Sequence, residues 1–145
     1  MNQIEVRLAR MPEELTLVHR IRYLVFQLEQ GVDPTTEFDG KDANAEHLLA
    51  SISGKPVGTA RIRFLTPQTA KLERLAVLSE VRGLGIGRKI VENIVDFLSE
   101  KNVQVLLVHA QQQVQDYYLR FGFEPEGQVF EEAGIPHVKM KKLLC

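Results

Sequence analysis

Arg82-Gly83-Leu84-Gly85-Ile86-Gly87 lies between an apolar strand pattern, Leu72 to Leu78, and an amphipathic helix beginning near Ile86. A glycine-dense turn there lets the backbone approach a bound group with no side chains in between. The helix that follows points its unpaired N–H groups and its positive dipole end back at the turn, which makes an anion site, most naturally for a pyrophosphate. Arg82 stands beside it as a bidentate phosphate donor. Two common phosphate sites do not fit. A dinucleotide fold needs G-x-G-x-x-G after the first strand and an acid at the end of the next. Here the glycines read G-x-G-x-G after the fourth strand pattern, and the following strand ends in His109-Ala110. A P-loop needs Lys-Ser or Lys-Thr after the glycines, and neither is present.

The 145 residues fit one domain, spanning 1–145, with a core that needs no disulfide or metal. The net charge of −1 gives no pull toward nucleic acid or an anionic membrane surface. The Lys139-Met140-Lys141-Lys142 run fits a terminal strand with solvated lysines better than a nucleic-acid face. No apolar run has membrane-span length, and the lone Cys145 suits a reducing compartment, so a cytoplasmic location is expected. His19, His47, His109 and His137 have no metal-ligand spacing, and no metal is expected.

Ile4, Val6 and Leu8 alternate as a strand, and helical spacing from Pro12 predicts one helix to about Gln30, stopped by Gly31. Residues 32–45 read as a long polar loop. Strands are predicted at His47–Ser53 and Val57–Leu65, joined by a Gly54-Lys55 turn, then at Lys71–Leu78. A helix from Ile86 to Asn102 follows, with Ile86, Ile90, Val91, Ile94, Phe97 and Leu98 on one face. Val103–Val108 reads as a strand covered on both faces, Gln113–Phe121 as a short helix, and Phe123 and His137–Leu143 as closing strands. The order β-α-β-β-β-α-β-α-β-β gives an α/β (α+β) chain with a mixed sheet and helices on both sides.

The R-x-x-G-x-G spacing of Arg82, Gly85 and Gly87 resembles the pyrophosphate loop of the GNAT superfamily of acetyl-coenzyme A dependent acyltransferases. Tyr117-Tyr118-Leu119-Arg120-Phe121-Gly122-Phe123 is similar to that superfamily's aromatic-Tyr-x-x-x-Gly-Phe segment. Arg22, Val25-Phe26, Glu29-Gln30, Glu37, Asp39, Asp42, His47 and the Ala133-to-His137 ending resemble a YjcF-like bacterial branch. The resemblance covers nearly the whole chain. It implies the GNAT fold, a mixed and mostly antiparallel central sheet, and acetyl transfer from acetyl-coenzyme A to an amine. Backbone N–H groups of Gly83, Leu84, Gly85, Ile86, Gly87 and Arg88 would then hold the pyrophosphate. Leu75, Ala76 and Val77 would pair with the pantetheine like an added strand, and Gln111 would touch the cofactor.

Amine acetylation needs a neutral amine, donors for charge building on the thioester oxygen, and a proton for the departing thiolate. The resemblance assigns the proton to Tyr118, with Tyr117 as its core-facing neighbour. Glu73 is the candidate base, placed by alternation on the face of Leu75 and Val77; the alternative is an ion pair with Arg61 or Arg63. The oxyanion donor would be a backbone N–H near Leu75. Glu37, Asp39 and Asp42 read as a solvated loop with Lys41 as counterweight, or as an acidic patch drawing a cationic amine. The YjcF-like resemblance places Phe26, Glu29, Glu37 and His47 around the acceptor. His109 reads as a hydrogen-bonded structural histidine in reach of the cofactor. The acceptor is a small-molecule or peptide amine, and homodimer formation is left open. A coenzyme A sensing module without catalysis is the rival reading, and an interaction protein that keeps only the fold is a further one.

Overall fold

A computed structural model describes residues 3–144; Cys145 lies outside them. Eight strands make one sheet: β1 (Ile4–Leu8), β2 (Glu46–Ile52), β3 (Lys55–Thr66), β4 (Thr69–Val77), β5 (Val105–Gln111), β6 (Glu124–Pro125), β7 (Phe130–Glu132) and β8 (Ile135–Leu143). Their order is β1-β2-β3-β4-β5-β8-β6, with β7 also on β8. Among the described residues only β4 and β5 run parallel. The helices are α1 (Leu15–Arg22), α2 (Pro34–Glu37), α3 (Ile86–Glu100) and α4 (Gln115–Leu119).

The two sheet faces are told apart by what they meet. A Cβ on Gly58 would touch Ile86 and Ile90 of α3, whereas Arg61, three residues on, reaches Asp42 beside α1. Helices therefore cover both sides, as expected. The face of α3 read from its spacing is the buried one: Ile86, Ile90, Val91, Ile94 and Leu98 are all closed to solvent. Each such side chain contributes about 2 kcal/mol of burial. They pack with Ile62, Leu72 and Leu106 of the strands in one core.

Four local readings are corrected. The first helix starts at Leu15 and, after Arg22, widens into π-helical turns over Tyr23–Glu29. Its closing bond runs from the Gln30 N–H to the Val25 carbonyl, five residues back, at 3.1 Å. That widening lets the neighbours Val25 and Phe26 both reach one cavity. The 32–45 segment contains α2, capped by the Asp33 side chain accepting from Thr35 N–H at 2.8 Å. The β2–β3 turn is Ser53-Gly54 with φ of 49° and 84°, since Ile52 pairs Lys55. Val103 closes α3 by bonding Leu98, so β5 starts at Val105 and extends to Gln111 against β8. Alternate β5 residues, Val105, Leu107, His109 and Gln111, are only half-buried, so the strand is not covered on both faces.

Candidate active site

The sheet parts at its one parallel pair. β4 and β5 are bonded only from Thr69↔Val105 to Leu72↔Val108. Beyond that, β4 continues to Val77 beside β3, and β5 continues to Gln111 beside β8. The split opens into a cavity of about 840 Å³, within the range of small-molecule and cofactor sites. A β-bulge starts it. Arg61 pairs Glu73 and Thr59 pairs Ala76, so three steps on β4 match two on β3. Arg74 takes φ 54° there. The extra residue is left out of the ladder and strengthens the local twist. It also overturns the expected alternation. Glu73 and Ala76 share the face of Arg61 and Thr59, while Val77 lies opposite Gly58 on the face of α3.

At the far end of the split, Gly83 and Gly85 adopt φ of 86° and 79°, and Gly85 is the N-cap of α3. A Cβ on either would meet no atom within 4 Å, so the loop's outer side is open. At Gly87 a Cβ would lie 2.5 Å from the Tyr117 hydroxyl, so this glycine makes room for a ring rather than a turn. Leu75, Ala76, Val77, Arg82, Gly83, Gly85, Ile86, Gly87, Arg88 and Gln111 all line the cavity. Leu84 does not; its side chain is exposed. Arg82 donates from Nε and Nη2 to the Val77 carbonyl at 3.0 and 2.9 Å, and from Nη2 to Glu29 Oε1 at 2.6 Å. The guanidinium expected to hold phosphate thus braces the loop against β4 and the end of the first helix. Glu29, expected near the acceptor, is its partner and lines no part of the cavity.

Tyr117 and Tyr118 both line the cavity, edge to face with ring centroids 5.4 Å apart. Tyr118 is the deeper of the two, packed on Phe123, and Tyr117 is half-buried beside the glycine loop. The expected order of burial is therefore reversed. Burial pushes the Tyr118 phenol well above its ordinary range, so it stays protonated.

The cavity wall on the α1 side is a buried web of charge. Arg61, fully closed to solvent, bonds both Asp39 oxygens at 2.8 Å, Asp42 at 3.0 Å and Glu73 at 2.8 Å. Arg22, equally buried, bonds Asp42 at 2.7 Å and also Glu37. Arg63 and Lys71 close on Glu73 at 2.6 and 3.1 Å. Arg74 reaches Asp39 at 3.3 Å and the Glu37 carbonyl at 3.3 Å.

Glu73, read either as the base or as an ion-pair partner of Arg61 or Arg63, makes both ion pairs and is held down by them. Burial raises its pKa, but Arg63, Arg61 and Lys71 outweigh that and hold it at about 2. A carboxylate so stabilised has little appetite for a proton. Arginines also pin Glu37, Asp39 and Asp42, which are neither solvated nor free to draw a cation. His47 lies behind this web, its Nε2 at 3.1 Å from the Asp42 carbonyl and its Nδ1 without a partner among the described residues. It does not line the cavity; Phe26 and Glu37 do. Among the described residues Glu37 Oε1 is also a buried side-chain atom without a partner.

The opposite wall holds His109, read as hydrogen-bonded and in reach of the cofactor, with a partner the sequence reading missed, Glu132. His109 follows the last β4–β5 pair, and its register through β5 places it on the face of Lys71 and Glu73. Its Nδ1 lies 3.0 Å from Glu132 Oε1, and His137 Nε2 lies 3.7 Å from Glu132 Oε2. All three line the cavity. The β7–β8 hairpin delivers Glu132 and His137 there, pairing Glu132 with Ile135 and Gln111 with His137. Among the described residues no cluster of His, Cys, Asp and Glu could hold a metal, and no helix is long and apolar enough to cross a membrane.

Comparison with known proteins agrees with this architecture. The model of the acetyltransferase (GNAT) domain matches residues 27–144. The N-acetyltransferase YjcF of Bacillus subtilis is 31% identical over 136 residues, covering 93% of this chain and 96% of YjcF. The crystal structure of Escherichia coli ElaA superposes with a TM-score of 0.84 at 26% identity, covering 97% and 99% of the two chains. An acyl-CoA N-acyltransferase from Pseudomonas aeruginosa gives 0.83 at 26%, with the same coverage. The chain belongs to the GNAT acetyltransferase family.

Proposed function

We propose that the protein moves an acetyl group from acetyl-coenzyme A directly to the amine of a small-molecule or peptide acceptor, both bound at once. The observation that carries this reading is one cavity holding a positive-φ glycine loop at the start of α3 and a bulged strand split from its neighbour. The open side of Gly83 and Gly85 fits a pyrophosphate, received by N–H groups at the helix start. The free edge of β4 from Leu75 to Val77 suits pantetheine amides, which bond like strand backbone.

In the reaction a C–N bond forms as the C–S bond breaks, the amine gives up a proton and the sulfur gains one. His109 is the better base. Its Nδ1 lies 3.0 Å from Glu132 Oε1, which orients the ring and leaves Nε2 as the nitrogen that would take the amine's proton. Backbone N–H groups near the bulge, at Arg74 and Leu75, would be the donors to the charge building on the thioester oxygen. Tyr118 acts as donor to the departing sulfur. Because its phenol is held above the usual range, a hydrogen bond to the growing charge is its part rather than early proton release.

Calorimetric titration with acetyl-coenzyme A tests this on wild type, Gly85→Ala and Gly85→Glu. Both variants carry the same backbone strain at φ 79°, but only the second sets a carboxylate against the phosphates. Micromolar binding that survives in Gly85→Ala and vanishes in Gly85→Glu is expected. No binding by wild type would overturn the reading; binding without turnover of any amine would leave the sensing module.

A further inference from the structure

We propose that the acceptor is an anionic amine, one carrying a carboxylate or phosphate that is gripped by Lys71, Arg63 and Arg74. This rests on the proposed acetyl transfer and reverses the charge that the acidic-patch reading of Glu37, Asp39 and Asp42 implied. The web described above counts Arg22, Arg61, Arg63, Lys71 and Arg74 against Glu37, Asp39, Asp42 and Glu73. One positive charge is left over. Lys41 also lines the cavity, with no ion pair to a described residue, and adds another.

The surplus lies on the cavity side. Arg22 and Arg61 are sealed within the wall, while Arg63, Lys71 and Arg74 keep side-chain exposures of 23%, 14% and 23%. Arg63 spends Nε and Nη2 on Glu73, and Arg74 spends Nε and Nη2 on the 36–39 backbone and Asp39. Their Nη1 groups bond no described residue, and Lys71 bonds Glu73 alone. Donors in excess of acceptors, at the edge of a cavity, describe a receptor for an anion. A cationic amine without an acid group meets no unshared, accessible carboxylate on this wall.

Register sets the distance. Arg63 pairs Lys71, and Lys71 stands two residues before Glu73, level with His109 across the split. Two strand steps are about 7 Å. An amine at His109 and an acid group at Lys71 therefore belong to one small molecule of that span.

The test uses matched pairs on protein saturated with coenzyme A: an amino acid against its decarboxylated amine, and glucosamine 6-phosphate against glucosamine. Calorimetry should show at least about tenfold tighter binding of the anionic member of one pair, and which pair responds separates carboxylate from phosphate. In acetylation assays Lys71→Met should raise KM for that member about tenfold with kcat within threefold, while KM for its decarboxylated or dephosphorylated counterpart changes less than threefold. Equal or tighter binding of the decarboxylated or dephosphorylated amines, or binding of neither member, would overturn the proposal. Failure to bind coenzyme A in the first place would instead overturn the transferase reading.

Discussion

Replacing Arg61 by methionine should destabilise the protein by about 4 kcal/mol at pH 7, and by half that or less at pH 3. Arg61 has no solvent exposure and touches three carboxylates, Asp39, Asp42 and Glu73. Removing one partner of a buried ion pair costs about 3–5 kcal/mol, because the other charge is left uncompensated. The pH dependence separates charge from packing. In the wild type Glu73 and Asp42 are each held at about 2, against 4.5 and 3.8 ordinarily. A lowered carboxyl pKa adds stability that is present above the unfolded value and lost as pH falls through the folded one. At neutral pH these correspond to about 3.5 and 2.5 kcal/mol, shared through common arginines rather than additive. The wild type should therefore weaken between about pH 4.5 and pH 2. The variant's carboxyls, lacking Arg61, take up protons at higher pH, so its deficit is relieved earlier and the two proteins converge. Urea unfolding followed by circular dichroism at pH 7 and pH 3 reads both numbers, and the melting temperature at pH 7 should fall by about 8–16 °C. A cost below about 1 kcal/mol, or an equal cost at both pH values, would show that the guanidinium only fills space.

Gly58→Val should cost about 2–3 kcal/mol, since the first added carbon already lies 3.1 Å from Ile90 and 3.3 Å from Ile86. Because Ile86 opens α3, the same variant should bind acetyl-coenzyme A more weakly, a coupling that melting curves and calorimetry measure together. His109→Gln should lower kcat about 10²–10⁴-fold with acetyl-coenzyme A affinity kept. Glu132→Gln should lower it less, by weakening the hold on Nδ1, and a rate for His109→Gln within threefold of wild type would remove His109 from the chemistry.

The parts of this molecule that the sequence made legible are local in the chain. The apolar stripe of α3 and the glycine loop before it depend on spacing within a few residues, and both stand where they were read. Of the charged web only the Glu73 ion pairs with Arg61 and Arg63 could be read ahead, because Arg22, Glu37 and Asp42 join them only after the sheet forms. Singly, each looks like a solvated charge. A signal existed: Arg22 follows Ile21 on the inner side of the first helix, between the buried Val18 and Val25, and Arg61 sits between the buried Ala60 and Ile62. The His109–Glu132 contact needed the β7–β8 hairpin, of which Phe130–Glu132 carried no strand pattern long enough to read. The bulge at Arg74 had no sequence mark at all. A positive φ usually points to glycine, and here an arginine adopts it.

That arginine links the two halves of the cleft. Its backbone makes the bulge that parts β4 from β5, and its side chain bonds the Thr36 and Glu37 carbonyls and Asp39. A left-handed backbone at a non-glycine residue costs about 1–2 kcal/mol and persists only where its surroundings impose it. Here those bonds supply the restraint, so the opening of the split and the position of the charged wall are set by one residue. Neither can be adjusted alone: relaxing Arg74 toward regular β geometry would restore the ladder, close the edge of Leu75 to Val77, and release the 36–39 segment from the cavity together. The charge web around Glu73 holds the strand immediately before the bulge, with Arg61 and Arg63 of β3 on one carboxylate. Its first structural consequence is thus register. With Glu73 fixed opposite Arg61, the extra residue has to fall at Arg74 and nowhere earlier, which is where the split between β4 and β5 begins.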